Sequence, residues 1–264
     1  MASDVQLDKA RIAIRERSFI DILDLALRVL YRFARPLAVA WLAGVAPAMI
    51  VNSAALYPLR EVNAGLDLPL PYMLLMVLLV VWEIPLITAP MTLYLGQATF
   101  QERPAARQIA WEFLGSLGQL ILYQVLLRVP LLAWPYLNEV ILLERNPMIA
   151  RRRFANSTSR RCVELHMHEG GDVFVRALFS AGVALVLAAA LWVSIGMIRS
   201  LLLSDLDWDN PVFTFWFQLS LWVVAGYFTV VRFLCYLDRR IRREGWEVEL
   251  LMRAEGERLS RQLV

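Results

Sequence analysis

Residues 74–90 read LLMVLLVVWEIPLITAP. Apolar side chains fill every face of this helical wheel, which fits a helix buried on all sides and not an amphipathic surface helix. With the residues around it, the run is long enough to cross a hydrocarbon core of about 30 Å. It also carries one charge near its middle, Glu83. A carboxylate at the centre of a bilayer costs at least about 2.5–3.5 kcal/mol on insertion scales, so such residues face protein or a cavity and find partners.

The rest of the chain repeats the first half of that message. Of its 264 residues 59% are hydrophobic, and its mean hydropathy is +0.52; soluble domains hold about 45–50% apolar residues. Four stretches read as full spans: 37–56, 72–94, 173–198 and 212–236. Pro47 is expected to kink the first, and Pro85 and Pro90 to interrupt the second, which membrane helices tolerate when neighbours re-satisfy the backbone. The first 17 residues are charged and contain no apolar core of a cleavable leader, so the first span is expected to act as its own signal.

Residues 113–144 form a harder case. At 32 residues, with Pro130 and Pro135 near the middle, they are too long for one upright helix and short for two full ones. Two limbs, 113–129 and 131–144, fit either a re-entrant hairpin or two short tilted spans. Charge selects the side on which both ends lie. The following stretch, RNPMIARRRFANSTSRR, holds six arginines and is expected in the cytoplasm under the positive-inside rule. The acidic loop LLLSDLDWDN is expected outside. The fold class expected is therefore an all-α polytopic bundle of four full spans plus this hairpin, in a bacterial inner membrane, with both termini cytoplasmic.

Amphipathic helices are expected at both cytoplasmic ends. Residues 1–36 end in SFIDILDLALRVLYRFAR, whose apolar residues recur at helical spacing while Asp21, Asp24, Arg28 and Arg32 interrupt them. This predicts a helix on the membrane surface or docked on the protein. Residues 237–264 continue the last span with oppositely charged neighbours four apart, such as Asp238 with Arg242. Arg239, Arg240, Arg242 and Arg243 are candidates for contact with lipid headgroups or a partner protein.

Within the membrane, the candidate polar residues are Glu83, Arg128 and Glu139. Glu83 and Arg128 both fall near the middle of apolar stretches, so the bland expectation is an ion pair tying the hairpin to the second span. The sharper alternative is a protonatable or substrate-binding carboxylate in a cavity. Glu144 is expected to pair with nearby arginines, and Glu139 to lie deeper. His166 and His168 point apart in a strand or a helix, and the cysteines Cys162 (in an arginine-rich loop) and Cys235 lack ligand spacing, so no metal is expected. The chain shows no Walker loop, no nucleophile elbow and no metalloprotease motif, so neither an enzyme nor a cofactor is expected. A pI near 9.1 is assigned to cytoplasmic loops facing anionic lipid, not to nucleic acid.

Three segments, LALRVLYRFARPLAVAWL, PYLNEVILLERNP and YLDRRIRREGWEVEL, together resemble the glycerophosphoryl diester phosphodiesterase membrane-domain family. The resemblance implies a six-segment bacterial membrane module. The family's catalytic residues belong to a separate soluble barrel with no counterpart here, so none carries over. The function expected is a non-enzymatic membrane module that assembles with or positions a protein partner of unknown identity among membrane lipids. The alternative is a small transporter or lipid-handling protein using an intramembrane carboxylate.

Overall fold

The computed structural model describes residues 18–62, 69–101, 104–126, 135–145, 147, 157–166, 170–203 and 212–244. Arg128, His168, the acidic 204–211 loop and the tail beyond Glu244 lie outside the described residues. Among those described, the regular structure is entirely helical, and four helices are long and apolar enough to cross a membrane. The protein is a multi-pass helical membrane protein.

Helix α1 (Phe19–Arg32) starts where Ser18 and Asp21 cap each other's backbone: Ser18 Oγ accepts from Asp21 N at 3.2 Å, and the Asp21 carboxylate accepts from Ser18 N at 3.3 Å. This reciprocal cap satisfies two amides that the first turn leaves open. Ile22, Ala26 and Val29 then recur on one face and are buried. They meet Val230, Val231, Phe233 and Leu234 of the last helix, and the Tyr227 hydroxyl donates to the Leu23 carbonyl at 3.1 Å. The helix is docked on protein by that face, while Ile20, Leu27 and Tyr31 point outward.

After a turn at Phe33 the chain enters the first span, α2 (Ala34–Ala55), which keeps Pro47 inside it, and then the short α3 (Tyr57–Val62). The second span is two helices in line, α4 (Leu70–Ile87) and α5 (Ala89–Phe100). They break at Thr88, between Pro85 and Pro90, and the Thr88 hydroxyl donates to the Ile84 carbonyl at 2.7 Å. α2 crosses this break closely because residue 44 is glycine: a Cβ there would collide with the Ile87 carbonyl oxygen.

Helix α6 (Ala106–Leu120) continues as a π-helical turn over Ile121–Leu126. The chain returns through α7 (Leu137–Glu139) and a second π-helical turn, Val140–Glu144. Glu112 and Arg145 are 2.5 Å apart, so the 113–144 segment starts and finishes at the same end of the bundle. α8 (Thr158–His166) packs against the Val140–Glu144 turn. Cys162, expected in a loop, instead lies on α8 and is fully buried.

The last two spans are α9 (Gly170–Leu203) and α10 (Phe217–Glu244), the latter preceded by a π-helical turn at Val212–Trp216. α10 is the axis of the fold, contributing side chains to all three buried clusters. Trp41 of α2 lies over Gly226, where a Cβ would stand 2.9 Å from its ring, and donates to the Trp222 carbonyl at 3.0 Å. At about 1.5 Å per residue the 34 residues of α9 reach about 50 Å, well beyond a hydrocarbon core of about 30 Å. α1 packs on α10 and meets α9 edge-to-face through Phe19 and Phe179, while α8 packs on α10.

Candidate functional site

The polar side chains converge where the returning hairpin meets α10. Arg232, Tyr236 and Arg240 are spaced four apart on α10 and so lie along one face. The segment opposite carries Glu139 and Glu144. Five residues apart, these would diverge by about 140° on an α-helix. The π-helical turn, bonded from i to i+5, brings them back to one side. Glu139 Oε1 then accepts from Arg232 Nε at 2.6 Å. Glu144 accepts from the Tyr236 hydroxyl at 2.8 Å and from Arg161 Nε at 2.7 Å, with Arg240 Nε 4.0 Å away.

Glu139 is 0% exposed; its Oε1 meets Arg232, and its Oε2 is buried without a hydrogen-bond partner. Asn138 joins the arrangement. With its amide oriented so that both ends are satisfied, it donates to the Pro85 carbonyl at 3.2 Å and accepts from Arg232 Nη2 at 3.1 Å. One charged cluster thereby joins α10, the hairpin and the broken second span. Arg232 lies about 15 Å from the Arg242 end of its span at 1.5 Å per residue, within the apolar length of the helix.

The mouth of the hairpin is closed by a second cluster. Glu112 of α6 accepts from Arg145 Nη2 at 2.5 Å, from Gln97 Nε2 of α5 at 2.7 Å and from Gln108 Nε2 at 2.8 Å. Burial raises the Glu112 carboxyl, but the bonds from Arg145, Gln108 and Gln97, with the Arg145 charge, outweigh it and leave it below its ordinary value. Arg145 itself adopts the left-handed conformation (φ 51°) at the end of the π-helical turn, where glycine is the usual choice.

The chain matches no protein-family model, no curated protein and no solved structure. Its chemistry is therefore read from the residues alone.

Glu83 sits apart from both clusters. Asn52 Nδ2 of α2 donates to its Oε2 at 2.9 Å; Arg128, read from the sequence as its partner, lies outside the described residues. Next to Asn52, Ser53 Oγ stands 3.4 Å from Gln218 Oε1 of α10. Asn52 Oδ1 and Gln218 Nε2 are buried without a hydrogen-bond partner.

Of the C-terminal arginines, Arg239 is turned inward, 7% exposed, with Nε donating to the Leu165 carbonyl of α8 at 3.2 Å. Arg242 pairs with Asp238 at 2.9 Å, and Arg240 faces the hairpin. Arg243 continues the α10 backbone. Among the described residues no cluster of His, Cys, Asp and Glu could hold a metal ion. Burial, with Glu144 and Glu139 nearby, pushes the Cys162 thiol up to about 12, far from the thiolate that nucleophilic chemistry needs.

Arg232 is the important residue that the sequence did not single out. Its signal was there: a lone arginine within an apolar span, one turn before Tyr236.

A cavity of about 270 Å³ opens beside this mouth, between α5, α6, the Val140–Glu144 turn and α10. Its lining mixes apolar residues, Leu93, Leu142 and Leu237 among them, with polar ones such as Gln97, Glu112 and Arg145. Gly96 permits this closeness, since a Cβ there would collide with Leu143.

Proposed function

We propose that the protein is a non-enzymatic membrane module that holds a protein partner at its arginine-rich end. The observation that carries this reading is how its interior charges are used. Glu139, Glu144 and Glu112 each engage an arginine of the same chain, and these contacts fasten the hairpin to α5, α8 and α10. Intramembrane charges commonly mark pathways or reaction centres; these are taken up by architecture. The end they stiffen also carries α1, which presents Ile20, Leu27 and Tyr31 beside the Asp24–Arg28 pair. The membrane is taken to be a bacterial inner membrane, with the arginine-rich end in the cytoplasm.

The test is mild-detergent purification of the tagged full chain, with its mass read by native mass spectrometry. A partner in fixed stoichiometry, lost when Ile20 and Tyr31 are both changed to aspartate while the chain stays folded, is the expected result. A lone chain that moves a solute or lipid across vesicles would overturn it. That outcome belongs to a second reading, a small transporter or lipid-handling protein working through Glu83. What favours the second reading is the pair of unpartnered buried atoms, Asn52 Oδ1 and Gln218 Nε2, in the region of that carboxylate.

A further inference from the structure

We propose that the seam between α2, α4 and α10 binds one monovalent alkali cation, held by the Glu83 carboxylate and the amide oxygens of Asn52 and Gln218, with Ser53 orienting Gln218. Such a site is independent of the partner-holding role, and it names the class of solute for the second reading. Three observations carry it. The first is convergence. Asn52 and Ser53 lie on α2, Glu83 on α4 and Gln218 on α10. These helices share one buried cluster, to which they contribute Ala48, Val80 and Trp222 among others. Asn52 Nδ2 reaches Glu83 Oε2 at 2.9 Å and Ser53 Oγ reaches Gln218 Oε1 at 3.4 Å, so neighbouring residues of α2 tie it to both other helices. Ser53 lies near the Ala55 end of the first span and Gln218 near the Val212 end of the last. The seam is therefore close to water at the end of the bundle opposite Arg242.

The second observation is charge. Glu83 is half-buried within an apolar run, and the donor it meets among the described residues is a neutral amide. A carboxylate so placed is stabilised by a counter-charge. One carboxylate matches one monovalent cation, whereas a divalent ion would leave a net charge in the apolar layer. The third observation is the state of the two amides. Asn52 and Gln218 are fully buried, and Asn52 Oδ1 and Gln218 Nε2 have no hydrogen-bond partner. The Asn52 amide is fixed in orientation, because exchanging its ends would set its oxygen against the Glu83 carboxylate. The Gln218 amide is free to be exchanged, because the Ser53 hydroxyl both donates and accepts. Turned end for end, its nitrogen donates to Ser53 Oγ and its oxygen becomes the unpartnered atom. Two amide oxygens then join the carboxylate, and oxygen is the ligand atom that hard cations take. Both orphaned atoms are covered by protein, so the occupant is no larger than a bare ion.

Binding would be read on the full chain in neutral detergent at one fixed pH, with radiolabelled Na+ or K+ and with the thermal unfolding midpoint in NaCl, KCl and choline chloride of equal ionic strength. Saturable binding of one ion per chain is expected, with a midpoint raised over that in choline, since a ligand that binds only the folded chain stabilises it. Glu83→Gln and Gln218→Met should each weaken binding at least about tenfold, the size of one charge-assisted contact. Arg28→Gln, on the exposed face of α1, should change nothing. Equal midpoints in all three salts without saturable binding of either ion would overturn the proposal, as would unaltered binding in Glu83→Gln. Binding that appears only in Arg128→Gln would overturn it too, because the carboxylate would then belong to that arginine. Should Gln218→Met fail to fold, the unaltered chain decides. Na+ or K+ should slow modification of Glu83 by a hydrophobic carbodiimide, mapped by mass spectrometry, and rates equal to those in choline would reject the site. Ion flux into vesicles is a separate readout. Binding without flux upholds the site and rejects transport through it, whereas a solute moved through Glu83 with no ion bound rejects the site and leaves the transport reading standing.

Discussion

Two carboxylates among the described residues, Glu139 and Glu83, are handled differently. Glu139 is completely buried and faces a guanidinium at 2.6 Å. Glu83 is half-buried and faces the amide of Asn52 at 2.9 Å. Among the described residues, the fully buried carboxylate faces an opposite charge, as a desolvated charge needs, and the shallower one faces a neutral donor. The difference marks Glu139 as part of the frame and leaves Glu83 as the residue that function could use.

The sharpest way to break this comparison is to remove one side of the deeper pair. Glu139→Gln or Arg232→Gln orphans a buried charge and should cost about 3–5 kcal/mol, read as a large fall in the detergent unfolding midpoint. If Glu83→Gln cost as much, the distinction between the two carboxylates would vanish. A smaller effect tests what brings Asn52 to Glu83. Gly44→Val would push α2 away from the Ile87 carbonyl and should cost about 1–3 kcal/mol, as overpacking does. It should also change the solvent accessibility of a cysteine placed at residue 83 more than that of one placed at Ser116.

The hairpin mouth offers a test by pH. The folded Glu112 carboxyl lies below its ordinary value of 4.5, so it favours the folded state above that pH, and the benefit is lost as pH falls through the lower folded value. The unfolding midpoint should drop between about pH 5 and pH 3, and Glu112→Gln should flatten part of that slope. An identical slope in the variant would show that Glu112 does not close the mouth. The smallest expected effect is Glu83→Gln itself. Asn52 can donate to an amide oxygen as well as to a carboxylate, so the loss should stay under about 1.5 kcal/mol, the range of one neutral hydrogen bond. Thermal unfolding that matches the unaltered chain, combined with lost transport in vesicles, would favour the transporter reading of this residue.

Much of the fold was legible because apolar length is a local property. The four spans follow from runs such as 74–90. The docking of α1 was less legible. Ile22, Ala26 and Val29 form one apolar stripe whether it meets lipid or Val230 and Phe233, and those surroundings are equally apolar. The pairing of charges was not legible. Arg232 meets Glu139 across 93 positions of sequence, and no local pattern announces a contact of that range. Glu144 was expected beside arginines and Glu139 deeper, but no α-helical spacing puts the two on one side, which the π-helical turn does.

The central claim is that the charges inside this bundle serve its architecture. A double-mutant cycle on Glu139 and Arg232 tests it most directly, with the unfolding midpoint and partner retention measured on all four proteins. The account predicts that each single change to glutamine unfolds or weakens the protein, and that the Glu139→Gln, Arg232→Gln double variant regains most of the lost stability together with the bound partner. A double variant that folds as well as the unaltered chain yet loses its function would contradict it, because the pair would then be required for chemistry and not for structure.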